Sequence, residues 1–284
     1  MYKAFGLALL LLVGIHWLVP AQEIVDKPYT LTSLTTQYGW TVLDLTDTYL
    51  TDLPYSGYGL QFGGTARRFL NTGNQRVSMR TDINFQAGVA MNQPQTASMT
   101  YVGGNIGYGI QYHFKPLPRL QLLLGGEWDA EVGGKAYGRD VNNAGNFDFA
   151  TNLNVAATLR YELPVRKSWL RFQVDARVPF FGLMFVPEMG ESYSEIVYLG
   201  SSDNLIHYST FGNKNGLSMR YSVQCPLKNT TLLLGLQTDF LTYSANQLFF
   251  KRNCTSIQVG AVYDLMLFGG RKNKLPAGFR SMEW

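Results

Sequence analysis

A chain of 284 residues with 46% hydrophobic, 14% aromatic and 15% charged residues has a mean hydropathy of −0.07. That is too low for a helical membrane protein, and it is what a barrel shows when its apolarity is hidden in alternation. The formal net charge of +4 is spread over 24 basic and 20 acidic residues without clusters, which argues against a nucleic-acid partner.

At the amino terminus, Lys3 precedes an apolar run from Ala4 to Val19, and Val19, Pro20 and Ala21 offer modest or small side chains to a signal peptidase. The run is short for a membrane helix, carries Gly14, His16 and Pro20, and gives way to polar Gln22 and Glu23. Residues 1–21 therefore read as a cleaved signal peptide, 22–32 as a short periplasmic segment, 33–268 as a barrel and 269–284 as a periplasmic tail.

Alternating strands are predicted at 33–43, 57–69, 76–91, 98–114, 120–132, 149–163, 169–185, 216–227, 231–243 and 254–267. The third is the clearest: Val77, Met79, Thr81, Ile83, Phe85, Ala87 and Val89 share one face, while Ser78, Arg80, Asp82, Asn84, Gln86 and Gly88 share the other. The fourth repeats the pattern, with Val102, Ile106, Tyr108, Ile110, Tyr112 and Phe114 set against Gly103, Asn105, Gly107, Gly109, Gln111 and His113. Strands of this length suit a tilted bilayer crossing, which needs about nine to eleven residues, better than a soluble sheet. The first strand is the weakest, resting on Tyr38, Trp40 and Val42, and the tract 193–199 could add two more. The expected fold is all-β, a transmembrane antiparallel up-and-down β-barrel of about ten strands, within a range of about eight to twelve.

The connections at 71–75, 115–119, 164–168 and 226–230 are short and rich in turn residues. Those at 44–56, 92–97, 134–148, 187–215 and 244–253 are mostly longer. Short joins read as periplasmic turns and long ones as cell-surface loops, which places the barrel in an outer membrane with both mature termini in the periplasm.

Parity points Arg67, Arg80, Arg160, Arg171, Arg177 and Arg220 inward together with Asp82, Glu127, Asp129, Glu131, Glu162, Asp175, Asp239 and Asp264. A bore of about ten strands is narrow enough for such arginines to reach opposing carboxylates, so a charge-plugged lumen is expected rather than a diffusion pore. Glu127, Asp129 and Glu131 form an acidic row that could attract a cation, although arginines are at hand. No metal or cofactor is expected. Cys225 and Cys254 fall on different strands at opposite ends, too far apart for a disulfide, and read as outward-facing small apolar residues. CxxC, HExxH, GxSxG and phosphate-loop patterns are all missing from the sequence.

One pair could carry chemistry. His207 and Ser209, two apart in Ile206-His207-Tyr208-Ser209, would share a strand face about 7 Å apart, and an imidazole there could accept a hydroxyl proton. The pair resembles the His-x-Ser of outer-membrane lipid hydrolases, including the lipid A deacylase family, whose motif reads His-Tyr-Ser-Asn before an Asn/Asp-Gly turn and an acid. Here Thr210 replaces the Asn, Asn215-Gly216 supplies the turn, and Ser218 stands in the place of the acid. Glu191 or Glu195 would have to orient the imidazole instead.

A second resemblance covers most of the mature chain. Asp47-Thr48-Tyr49-Leu50, Tyr55-Ser56-Gly57, Val132-Gly133-Gly134 with Asn142-Asn143, Phe181-Gly182-Leu183-Met184-Phe185 with Pro187, and Gly190-Glu191-Ser192-Tyr193-Ser194-Glu195-Ile196 are similar to a Bacteroidetes family of outer-membrane barrels of unknown function. That resemblance implies fold and location but no reaction. The reading that follows is a charge-plugged barrel with a structural or ligand-binding role. Outer-membrane lipid and lipopolysaccharide are its expected surroundings, and a Ser/His lipid hydrolase is the alternative.

Overall fold

Period-two alternation organises the molecule because, over the middle of each strand, outward side chains meet an apolar surrounding while inward ones meet the bore. The computed structural model describes residues 31–70, 76–139, 144–165, 168–193, 195–196, 204–227 and 230–266. The expected signal peptide and carboxy-terminal tail lie outside them. Among the described residues eleven strands follow one another: β1 (Leu31–Asp47), β2 (Thr51–Phe69), β3 (Val77–Asn92), β4 (Ser98–Leu117), β5 (Leu120–Tyr137), β6 (Gly145–Val165), β7 (Ser168–Phe185), β8 (Ile206–Thr210), β9 (Lys214–Pro226), β10 (Thr231–Ala245) and β11 (Leu248–Met266).

Neighbours in sequence pair antiparallel from β1 to β7, β9 pairs with β10 and β10 with β11, and β11 returns to β1, as in Trp40 opposite Ile257. Because β7 also pairs with β9, the sheet closes into a ten-stave barrel, which removes the free edges that apolar surroundings would penalise. The first strand, weak in sequence, is fully formed: Tyr38 is 61% and Trp40 59% exposed on the outer wall. The described residues of the tract 193–199 add no strand.

β8 and β9 together make one stave. Pairing of β7 with β9 ends at Arg177 opposite Ser218 and resumes with β8 at Phe181 opposite Thr210. Pro179 sits in the interval, where it has no N–H to offer a ladder. It packs on Gly216, where a Cβ would stand 2.9 Å from the proline Cγ, so close approach explains the glycine.

Several connections expected to be long are mainly strand. The 244–253 stretch contains only a two-residue turn at Asn246 and Gln247, whose φ values of 51° and 62° suit a tight hairpin. In 44–56 and 134–148 the ladders likewise run on, leaving 48–50 and 138–144 between strands. Within 187–215 the sequence reading missed β8 altogether. The strands of 15 to 21 residues that result exceed what a bilayer requires.

Candidate functional site

The inward face divides into two layers. Toward the short turns and through the middle of the bore lie ionic and amide side chains. Toward the other end lies an apolar cluster of Leu43, Leu45, Tyr55, Met99, Met184 and Phe250 with their neighbours.

In the first layer, long arginines reach across the bore. Arg80 on β3 donates from Nη1 to Asp175 Oδ1 on β7 at 3.0 Å and from Nη2 to Asp82 Oδ1 at 2.9 Å. Thr65 donates to Asp82 at 2.6 Å, while Thr158 and Gln173 donate to Asp175 at 2.7 and 2.6 Å. Arg67 approaches Asp175 at 3.9 Å. Arg171 meets Glu162 at 2.6 Å, and Arg160 Nε donates to Gln173 at 3.0 Å. Arg177 meets Glu127 at 2.5 Å and Asp129 at 3.8 Å. Arg220 donates to the neutral oxygens of Gln237 and Asn84 at 3.1 and 3.2 Å, and Asp239 accepts from Gln237 at 2.7 Å. Buried charge is tolerated when it is paired and hydrogen-bonded in this way. The side chain of Asp264 lies outside the described residues.

The acidic row does not stand alone. Besides Arg177 on Glu127 and Asp129, Lys214 Nζ meets Glu131 at 3.0 Å and Asn152 at 2.8 Å. Among the described residues no group of three His, Cys, Asp or Glu could hold a metal ion. Gly107 leaves the space that Glu127 occupies, since a Cβ there would stand 2.5 Å from Glu127 Oε1. A cavity of about 60 Å³ remains beside Gln61, Asn105, Asp129, Glu131 and Asp239, room for roughly four waters.

Three lumen cations escaped the sequence reading. Lys135, 3% exposed, bridges Asp47 at 2.5 Å and Asp148 at 2.8 Å, and its Nζ lies 3.8 Å from the Phe250 ring centroid. Lys214 is likewise 3% exposed, and Arg252 donates to the Tyr101 hydroxyl. Each shares the inward parity of its strand, but each lies beyond the end assigned to that strand from sequence. Cys254, expected outward, is 1% exposed in the bore and accepts from Gln86 Nε2 at 3.3 Å; Cys225 is exposed.

The connection after β7 folds over the apolar layer. Tyr49 donates to the Glu191 carbonyl at 2.6 Å, Tyr193 donates to Asn146 Oδ1 at 2.5 Å, and the two tyrosine rings meet edge-on at 5.8 Å. Burial pushes the Tyr193 phenol above its ordinary pKa. Val186 N donates to Leu205 O at 2.9 Å, and Asn246 Nδ2 donates to the Val186 carbonyl at 3.0 Å, tying this connection to the β10–β11 turn.

β8 places Ser209 opposite Gly182 and His207 opposite Met184, all on the lumen side. Ser209 is 3% exposed and so turned away from the outer wall. His207 Nε2 and one Glu191 carboxylate oxygen are buried and have no hydrogen-bond partner among the described residues. Glu195 is exposed, and its carboxylate accepts from Ser192 N at 2.7 Å and Ser192 Oγ at 2.9 Å. Those two bonds hold the Glu195 carboxyl below the usual carboxylate range. Ser218 lies on β9 opposite Asp239 and Arg177.

Among solved structures, the outer membrane protease OmpT from Escherichia coli is similar at 10% identity and a TM-score of 0.50, over 86% of this chain and 99% of that one. The transport unit of the autotransporter AIDA-I from Escherichia coli matches at 9% identity and a TM-score of 0.43, over 90% and 96% of the two chains. At such identity the likeness is one of fold alone. No curated protein matches the sequence. A family model described as a protein of unknown function, DUF3316, matches residues 7–272, and the chain belongs to that family.

Proposed function

We propose that this chain is an outer-membrane barrel that does not conduct, with the β7–β8 connection at the cell surface and the short turns facing the periplasm. Its role is structural or ligand-binding, exerted at the covered mouth, among outer-membrane lipid and lipopolysaccharide. The observation that carries this is the filled bore: Arg80 joins β3 to Asp175 on β7 across the lumen, and an apolar layer lies above it under the tyrosine-pinned connection. A solute would have to break buried ion pairs to pass, each costing several kcal/mol. The outward band, where Ile83, Phe85, Ile106 and Val259 are all exposed, supports a lipid surround.

The hydrolase reading has no comparable support. Among the described residues His207 Nε2 has no hydrogen-bond partner, and Ser209 faces the bore.

Orientation is tested by single cysteines placed at Gln93 and at Pro118 in a background lacking Cys225 and Cys254. An impermeant maleimide added to intact cells should label the Gln93 site and spare the Pro118 site. The reverse pattern would overturn the orientation. Sealing is tested separately by liposome swelling: proteoliposomes should admit small sugars no faster than empty vesicles.

A further inference from the structure

The two rims of the barrel differ in charge. At the short-turn rim the exposed charged side chains among the described residues are Arg68, Arg76, Lys115 and Arg119, all basic. They fall on an unbroken arc of neighbouring staves, β2, β3, β4 and β5 and the joins between them. The connecting stretches 70–76, 115–119, 164–168 and 226–230 contain no Asp or Glu in sequence. At the opposite rim the exposed set among the described residues is mixed and mainly acidic: Asp44, Asp52, Glu188 and Glu195 against Arg139 and Lys251.

The basic arc is also apolar. Leu70 is 53%, Phe114 44% and Leu117 60% exposed among these cations, and Tyr112 and Phe114 pack with ring centroids 4.7 Å apart on the same outer face. A surface facing bulk water has no use for such side chains. At the depth where acyl chains give way to headgroups, both halves are satisfied: the rings and leucines meet hydrocarbon and the guanidinium and ammonium groups meet phosphate.

We infer that the short-turn rim is a docking collar for anionic phospholipid headgroups, formed by Arg68, Arg76, Lys115 and Arg119. The inference rests on the orientation proposed above to place those lipids in the periplasmic leaflet. The phosphate preference itself does not depend on orientation. The collar holds the barrel at a fixed depth and selects its annular lipid on one side.

The test is native mass spectrometry of the full mature barrel released from vesicles of equal phosphatidylglycerol and phosphatidylcholine. The wild type should retain phosphatidylglycerol in excess. A variant carrying Arg68→Gln, Arg76→Gln, Lys115→Gln and Arg119→Gln should fall to the vesicle ratio, with the preference weakening about fivefold for each base removed. Heat-shifted gel mobility confirms that the variant is folded, and if it is not, the four single variants are read instead. Arg139→Gln with Lys251→Gln at the other rim should change nothing. Equal retention of both lipids by the wild type, or a preference that survives the fourfold change, would overturn the collar. So would loss of binding to purified peptidoglycan with phosphatidylglycerol retention intact, since that would assign the cations to the cell wall. If the cysteine labelling reverses while the lipid preference stands, the orientation alone has failed.

Discussion

Arg80→Ala is the sharpest perturbation of the filled bore. It removes the cation shared by Asp82 and Asp175, which are 1% and 6% exposed and so cannot turn to water. Breaking a buried pair from one side costs about 3–5 kcal/mol. The lower end applies here, because Thr65 still donates to Asp82, and Thr158 and Gln173 still donate to Asp175. With a urea slope of about 2 kcal/mol per molar, a loss of about 3 kcal/mol lowers the unfolding midpoint by about 1.5 M. The assay is urea titration of the refolded barrel, read by the change in gel mobility between folded and unfolded forms. Val89→Ala on the outer wall, where the side chain is 46% exposed, serves as the comparison and should cost about 1 kcal/mol. Adding Asp175→Asn to Arg80→Ala should recover part of the loss, because the two changes act on one network. An Arg80→Ala midpoint no lower than that of Val89→Ala would refute the reasoning that the bore is held by paired charge.

Lys135→Met should lower the unfolding midpoint by a similar amount, since it removes the cation that Asp47 and Asp148 share. Gly125→Ala should be clearly destabilising in the same titration, because its Cβ would strike the Ile110 carbonyl, whereas Gly138→Ala, with nothing within 4 Å, should stay within about 0.5 kcal/mol of the wild type. The Glu195 carboxyl is depressed by its bonds to Ser192. Its contribution is therefore present above the ordinary carboxylate pKa of about 4.3 and lost as pH falls through the depressed value; the protection of the Ser192 amide, taken relative to its intrinsic exchange rate at each pH, should fall in acid for the wild type and lose that pH dependence once Glu195→Gln is made. Mass spectrometry of lipid A and phospholipid should find no fatty acid released by the wild type, and release abolished by both Ser209→Ala and His207→Ala would restore the hydrolase reading.

All ten staves were legible in the sequence because lipid outside and polar atoms inside impose the same period of two on each. What the alternation could not supply was the chemistry of the strand ends. On β1, Leu43 and Leu45 point inward while Asp44 is exposed, and on β11 Phe250 points inward while Lys251 is exposed. There the apolar face is the inner one, as in a water-soluble sheet packed on a core. A reading that equates apolar with outward therefore stops at Leu43 and turns Cys254 the wrong way. The same inversion hid Lys135, Lys214 and Arg252, whose strands had been ended too soon. The arginines and carboxylates of the central bore were named from parity alone, but their partners were not. Arg80 and Asp175 are 95 residues apart, and only closure of the barrel sets them face to face. Nearness in sequence suggests Glu191 and Glu195 as orienters for His207, but the bonds that the Glu195 carboxylate accepts are the local ones from Ser192.

The filled bore is tested most directly by the conductance of the purified, refolded wild-type protein in a planar bilayer. The account predicts a baseline indistinguishable from that of lipid alone across the usual voltage range. Large, steady, porin-like steps from the unmodified protein would contradict it.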